Sequence, residues 1–96
     1  MTVLSLIAQI KAKPGKEGEL EQLLHALIAP TREEAGSINY DLHVANDEPG
    51  LFVLYENWRT EALWQEHMAS AHLTAFQART DELVADWKLL KLTKIA

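Results

Sequence analysis

His67 and His72 are the residues of this sequence best suited to moving a proton, because an imidazole titrates close to neutrality. Each can act as a general base or as an orienting donor in a pocket. Each can equally be a core histidine whose ring bonds a backbone carbonyl. They stand five positions apart, which on an unbroken helix turns them about 140° from one another, a poor chelating pair. Zinc-binding helices use histidines four apart with a third ligand, and no His-Glu-x-x-His pattern occurs, so no metal is expected. Tyr40 and Tyr55 carry hydroxyls that either need partners in the core or donate to a substrate oxygen. Asn57 either holds a substrate carbonyl or faces water. Trp58, Trp64, Phe76 and Trp87 are the rings that fill the core of a small domain, and the same rings can wall an apolar pocket for a planar ligand. Glu56 is a carboxylate within an otherwise apolar strand face and is expected to form a structural ion pair, with Arg59 as a candidate partner. Glu33 and Glu34 read as a solvated helix end, His25 as a solvated helix position and His43 as a strand-face residue.

The elements that must position these groups lie mainly between residues 52 and 76. Alternation there predicts a strand with Phe52, Leu54, Glu56 and Trp58 on one face and Val53, Tyr55 and Asn57 on the other. Thr60 has the character of an N-cap, with Glu61 complementing the dipole in the first turn. On the helix that follows, Leu63 stacks with His67 and Trp64 with Met68, each pair four apart. Ser70 offers a second cap, so the helix is expected to break there and restart through His72, Leu73 and Phe76.

Upstream, residues 3–12 alternate with apolar side chains on both faces, a strand that wants cover on both sides. Lys13-Pro14-Gly15 is a turn, and from Lys16 a helical stripe of Leu20, Leu23, Leu24, Leu27 and Ile28 takes over. This helix is expected to run past Pro30 as far as Ala35 and to stop at Gly36. Residues 37–45 form a second strand with Ile38, Tyr40, Leu42 and Val44 on one face, joined by the turn formers of 46–50 to the strand at Leu51. Phe76, Thr80, Leu83 and Val84 carry a last helical stripe, and residues 87–95 alternate as a final strand. The order β-α-β-β-α(α)-β suits an α+β fold, a four-stranded antiparallel sheet with helices on one face. The other face still carries apolar residues such as Leu90 and Leu92, which predicts an interface.

The 96 residues predict one domain spanning 1–96. A hydrophobic fraction of 48% and a charged fraction of 24% match ordinary soluble globular chains. With a net charge of −5 and scattered lysines and arginines, nucleic acid is not an expected partner. No apolar run approaches the ~18 residues of a membrane span. Residues 1–10 lack the basic start of a signal peptide, and the expected location is cytoplasmic. The absence of cysteine removes disulfides, thiolate metal sites and cysteine nucleophiles together. Neither a phosphate loop, a dinucleotide fingerprint nor a Gly-x-Ser-x-Gly elbow is present, so no nucleotide or flavin is expected.

Tyr55-Glu56-x-Trp58 followed by Ala62-Leu63, His67, Ser70 and His72 resembles the antibiotic biosynthesis monooxygenase (ABM) domain family. The opening strand, the Pro14-Gly15 turn and Glu34-Ala35-Gly36 leading to Tyr40 add to the resemblance, which covers nearly the whole chain. It implies a ferredoxin-like sandwich that dimerises sheet to sheet into an α+β barrel. Many relatives place a proline between the serine and the second histidine, where this chain has Ala71, so the helix break is less firmly enforced. The haem-degrading branch uses a tryptophan and a histidine that align with His67 and Gln77, which argues against haem degradation.

Within such a family the resemblance implies a cofactor-independent oxygenase of the small quinol monooxygenase type. Its substrate would be a small aromatic molecule, a quinol or a polycyclic, anthrone-like phenol, that itself supplies electrons to O₂. His67 would be the base, Tyr55, Asn57 and His72 donors, and Trp58, Trp64, Phe76 and Tyr40 substrate contacts, with no metal and no other cofactor. The alternatives are a non-catalytic binding or structural dimer and an isomerase-like processor of a small signalling sugar.

Overall fold

The computed structural model describes residues 3–96. Strand β1 (Leu4–Ala12) leads through a turn at Gly15, whose φ of 84° suits glycine, into helix α1 (Glu17–Arg32). Strands β2 (Ser37–Val44) and β3 (Leu51–Trp58) form a hairpin. Helices α2 (Glu61–Met68), α3 (Ala71–Gln77) and the single turn α4 (Thr80–Leu83) precede strand β4 (Val84–Leu92). The sheet is antiparallel throughout, in the order β2-β3-β1-β4, the ferredoxin-like α+β arrangement.

Each strand follows its period of two. Leu4, Leu6, Ile10 and Ala12 of β1 and Phe52, Leu54, Glu56 and Trp58 of β3 point into the core, where α1 lays down Leu20, Leu24 and Leu27. Burying a side chain of this size contributes about 1.5–3 kcal/mol, so these layers hold the helices to one side of the sheet. Ile7, Val53, Tyr55, Leu90 and Leu92 belong to the opposite face, as their cross-strand register dictates.

Two boundaries and one side chain differ from the sequence expectation. Helix α1 crosses Pro30, as its apolar stripe implies, but ends at Arg32, and Glu34–Gly36 form a turn instead of a last helical turn. Ile38 does not join Tyr40 on the inner face. A bulge between Ser37 and Asn39 leaves it outside the pairing and 48% exposed. Strand β4 covers Val84–Leu92, not 87–95. Val84 already pairs with Ala12, and the ladder to β1 ends at Ser5–Leu92, leaving the last residues without a partner strand. Trp87, opposite Ile10, lies on the helix side of this edge strand but stays 68% exposed.

Candidate functional site

Two residues of β3 begin the site. Glu56 and Trp58 are two apart and share the inner face, and the register sets Tyr40 of β2 directly opposite Glu56. The indole Nε1–H of Trp58 donates to Glu56 Oε1 at 2.9 Å. Glu56 therefore does not form the ion pair expected of it, and Arg59 instead donates to the carbonyl of Ala35. Above Trp58 lies His67 of α2, with ring centroids 4.6 Å apart, while Tyr40 presents an edge-type contact to the same imidazole at 5.4 Å.

The position of His67 follows from two caps. Thr60 Oγ1 accepts the Leu63 N–H at 3.1 Å and starts α2, and Ser70 Oγ accepts the Leu73 N–H at 3.4 Å and starts α3. Ser70 also donates to the carbonyl of His67 at 2.6 Å, which ties the break in the helix to the histidine before it. Across this break the angular separation of an unbroken helix no longer applies. The His67 and His72 rings come within 5.9 Å and converge on one carboxylate oxygen, Glu34 Oε2, at 2.7 Å from His67 Nδ1 and 3.2 Å from His72 Nε2.

Glu34 is thus no solvated helix end; its side chain is turned inward from the turn after α1. Gly36 makes that possible. A Cβ on Gly36 would collide with Leu63 Cβ, so only glycine lets this turn approach the helix face that carries His67. Sequence reasoning missed Glu34 because its partners are 33 and 38 residues away. The one available signal was its place beside Gly36 in Glu34-Ala35-Gly36.

Burial controls the proton chemistry here. It lowers the pKa of His67, against the opposing hydrogen bond and charge of Glu34, with the neighbouring His72 adding to the drop. Burial likewise pushes Glu56 up to about 7, against the Trp58 hydrogen bond and with the charge of Glu34 adding to the rise. The Tyr40 phenol is raised well above its ordinary value by burial and by the Glu56 charge, so it stays protonated and can act as a donor.

Tyr40, Glu56 and His67 line the inner end of a cavity of about 270 Å³. Its walls are apolar, with Leu27, Leu54, Trp64, Leu73 and Phe76 among them, and the exposed Trp87 stands at its mouth. Of the residues singled out in the sequence, His67, Tyr40, Glu56, Trp64, Phe76 and Trp87 meet in this cavity. Trp58 lies beneath His67 and His72 beside Glu34, so both support the cavity from behind. Tyr55 and Asn57 are elsewhere. They sit on the other face of the sheet, where Tyr55 is 43% exposed and Asn57 bonds Ser5 and, at 2.7 Å, Asn39. The period of two that turns Glu56 and Trp58 inward turns these two outward.

A ferredoxin-like sheet with helices over one face and an apolar cavity ending in buried titratable groups has the shape and lining that suit a small molecule. The chain belongs to the antibiotic biosynthesis monooxygenase family, which it matches over residues 3–79. It is similar to Rv0793 of Mycobacterium tuberculosis, 36% identical over 81 residues, covering 84% of this chain and 79% of the relative. YcnE of Bacillus subtilis is 35% identical over 83 residues, 86% of this chain and 87% of the relative. Both relatives carry the name "Putative monooxygenase". Among solved structures, PA3566 of Pseudomonas aeruginosa superposes with a TM-score of 0.96 at 38% identity, over 100% of this chain and 97% of that one.

Proposed function

We propose that this protein is a cofactor-independent monooxygenase acting on a quinol or a polycyclic, anthrone-like phenol. The observation that carries the reading is the meeting of His67, Tyr40 and Glu56 at the inner end of an apolar cavity, in a chain of this family. Glu34 accepts the Nδ1 proton of His67, which leaves Nε2 with a lone pair for the substrate hydroxyl. His67 takes that proton, and Tyr40 donates to the oxyanion that results. Glu56, near half-protonation at neutral pH, stands beside them as an acceptor or donor. The electron-rich anion then reduces O₂. One oxygen atom stays on the ring carbon, and the other leaves as water with two substrate hydrogens. The apolar walls exclude water from the intermediate.

The donor role implied for Tyr55 and Asn57 passes in this reading to Tyr40, because those two face away from the cavity. Their face, with Ile7, Val53, Leu90 and Leu92, is better suited to pairing two copies of the chain into a homodimer. Sedimentation should then give twice the chain mass at micromolar concentration; a stable monomer would remove the barrel from the proposal.

Metal-free protein should raise oxygen consumption by a reduced naphthoquinol or an anthrone above its autoxidation rate. The His67→Ala variant should abolish the increment. If a panel of such compounds shows no acceleration while one of them still raises Tm, the chain is a binding module and the oxygenase reading fails.

A further inference from the structure

Glu34, His67 and His72 come from three separate segments, the turn after α1, the end of α2 and the start of α3. Each offers one ligand atom, and these three atoms all lie within 4.8 Å of one another; the pairs in contact are His67 Nδ1 and His72 Nε2, each with Glu34 Oε2. We propose that this triad is a binding site for a divalent transition-metal cation of the Zn²⁺, Co²⁺ and Fe²⁺ class.

Ligands about 2.1 Å from such an ion, at tetrahedral to octahedral angles, stand about 3.0–3.4 Å apart. The carboxylate oxygen is 2.7 and 3.2 Å from the two nitrogens, so the longer contact already has this spacing and the shorter one reaches it with a small shift of Glu34 away from His67. The side chains of Glu34 and His72 are 21% and 23% exposed, which gives the ion a path in and leaves open coordination positions for water. Among the described residues no lysine or arginine pairs with Glu34; its ion-pair partners are the two imidazoles. Two nitrogens and one oxygen suit borderline metals and discriminate against Mg²⁺ and Ca²⁺, which prefer all-oxygen shells.

Glu34 and His72 are absent from the cavity lining, so the ion would sit behind His67, one imidazole removed from the substrate. Its effect there rests on the oxygenase reading above. A metal at Nδ1 holds the neutral ring's single proton on Nε2, so the nitrogen facing the cavity changes from acceptor to donor. Metal occupancy therefore blocks the base and inhibits the reaction.

The test uses the full chain with Co²⁺ alone as the probe. Titration should give a saturable ligand-field absorption at one Co²⁺ per chain, displaced by Zn²⁺ and not by Mg²⁺. Glu34→Gln and His72→Ala should each weaken binding at least about tenfold. The partly exposed position of His72 keeps that variant readable should Glu34→Gln fold poorly, with circular dichroism as the check. No saturation at millimolar Co²⁺, or equal binding by wild type and His72→Ala, overturns the site. The two readings fail separately. Metal binding without any oxygen uptake removes the oxygenase and keeps the triad, whereas oxygen uptake insensitive to Zn²⁺ in a chain that binds no Co²⁺ removes the triad alone.

Discussion

Tyr55 and Glu56 are neighbours in the chain and stand in opposite environments. The phenol on the outer face of β3 is nearly half exposed, and its strand-mates there are polar or only half-buried. The carboxylate on the inner face is 4% exposed, bonded to an indole and pressed toward the neutral form. One step along a strand thus separates a partly exposed outer surface, the one proposed to pair two chains, from a chamber whose burial shifts a proton's affinity. The chemical identity of a side chain says less about its role than the parity of its position. Tyrosine is the better hydrogen-bond donor by type, yet on this strand the carboxylate reaches the cavity.

Mutations on the two faces should break this contrast most visibly at Trp58. Trp58→Ala removes a fully buried ring and the donor to Glu56, and should cost about 3–5 kcal/mol in urea unfolding. The outer-face change Tyr55→Phe should stay within about 0.5 kcal/mol, and a comparable loss at both would erase the distinction.

Glu56 sharpens it through pH. The folded protein keeps the Glu56 proton up to about pH 7, whereas the ordinary value is 4.5, so between those limits the native state binds more protons than the unfolded one. Stability from this group is then complete below about pH 4.5 and declines as pH rises to 7, by about 3 kcal/mol. Glu56→Gln should lack that decline in a series of denaturant titrations; a parallel slope in both proteins would place the titration elsewhere.

Smaller effects are expected around the imidazoles. His67→Ala should cost about 1–3 kcal/mol, since it strips Glu34 of its shorter bond and Trp58 of its cover. His72→Ala, at a partly exposed position, should cost less than about 1 kcal/mol by the same measurement. The least effect belongs to Asn57→Ala on oxygen uptake, which should match wild type within error, because Asn57 bonds Ser5 and Asn39 away from the cavity. A rate loss there would bring the outer face into the reaction.

What was legible in the sequence divides along the same lines. The caps at Thr60 and Ser70 and the two faces of β3 are local patterns, a hydroxyl three residues before an N–H or a period of two, and they stand where the spacing puts them. The helix break was legible as well, but its consequence for the two histidines was not. Fixing their mutual angle requires knowing how α3 leaves α2, and that is set by packing of Leu73 and Phe76 in the core. Glu34 was misread because an acidic residue at a helix end is ordinarily solvated; only the close approach at Gly36 turns it inward. The edges of β4 depended on where β1 could pair, and Ile38 on a bulge that alternation cannot reveal.

The bond between Glu34 and His67 has a consequence for the order in which the molecule assembles. It closes a loop of chain that contains the whole β2–β3 hairpin, and the entropy of bringing its ends together, on the order of 3 kcal/mol, is not offset by one such bond until that hairpin exists. Once β3 has paired and α2 has docked on it, closure adds almost nothing to the search. The site is accordingly a late product of folding, resting on long-range contacts that must already be in place. The same dependence runs in reverse: any fluctuation that lifts α2 from the sheet opens the carboxylate–imidazole contact while the strands stay paired. Amide hydrogen exchange should therefore find the α2 backbone less protected than that of β1 and β3, although both flank the same buried indole.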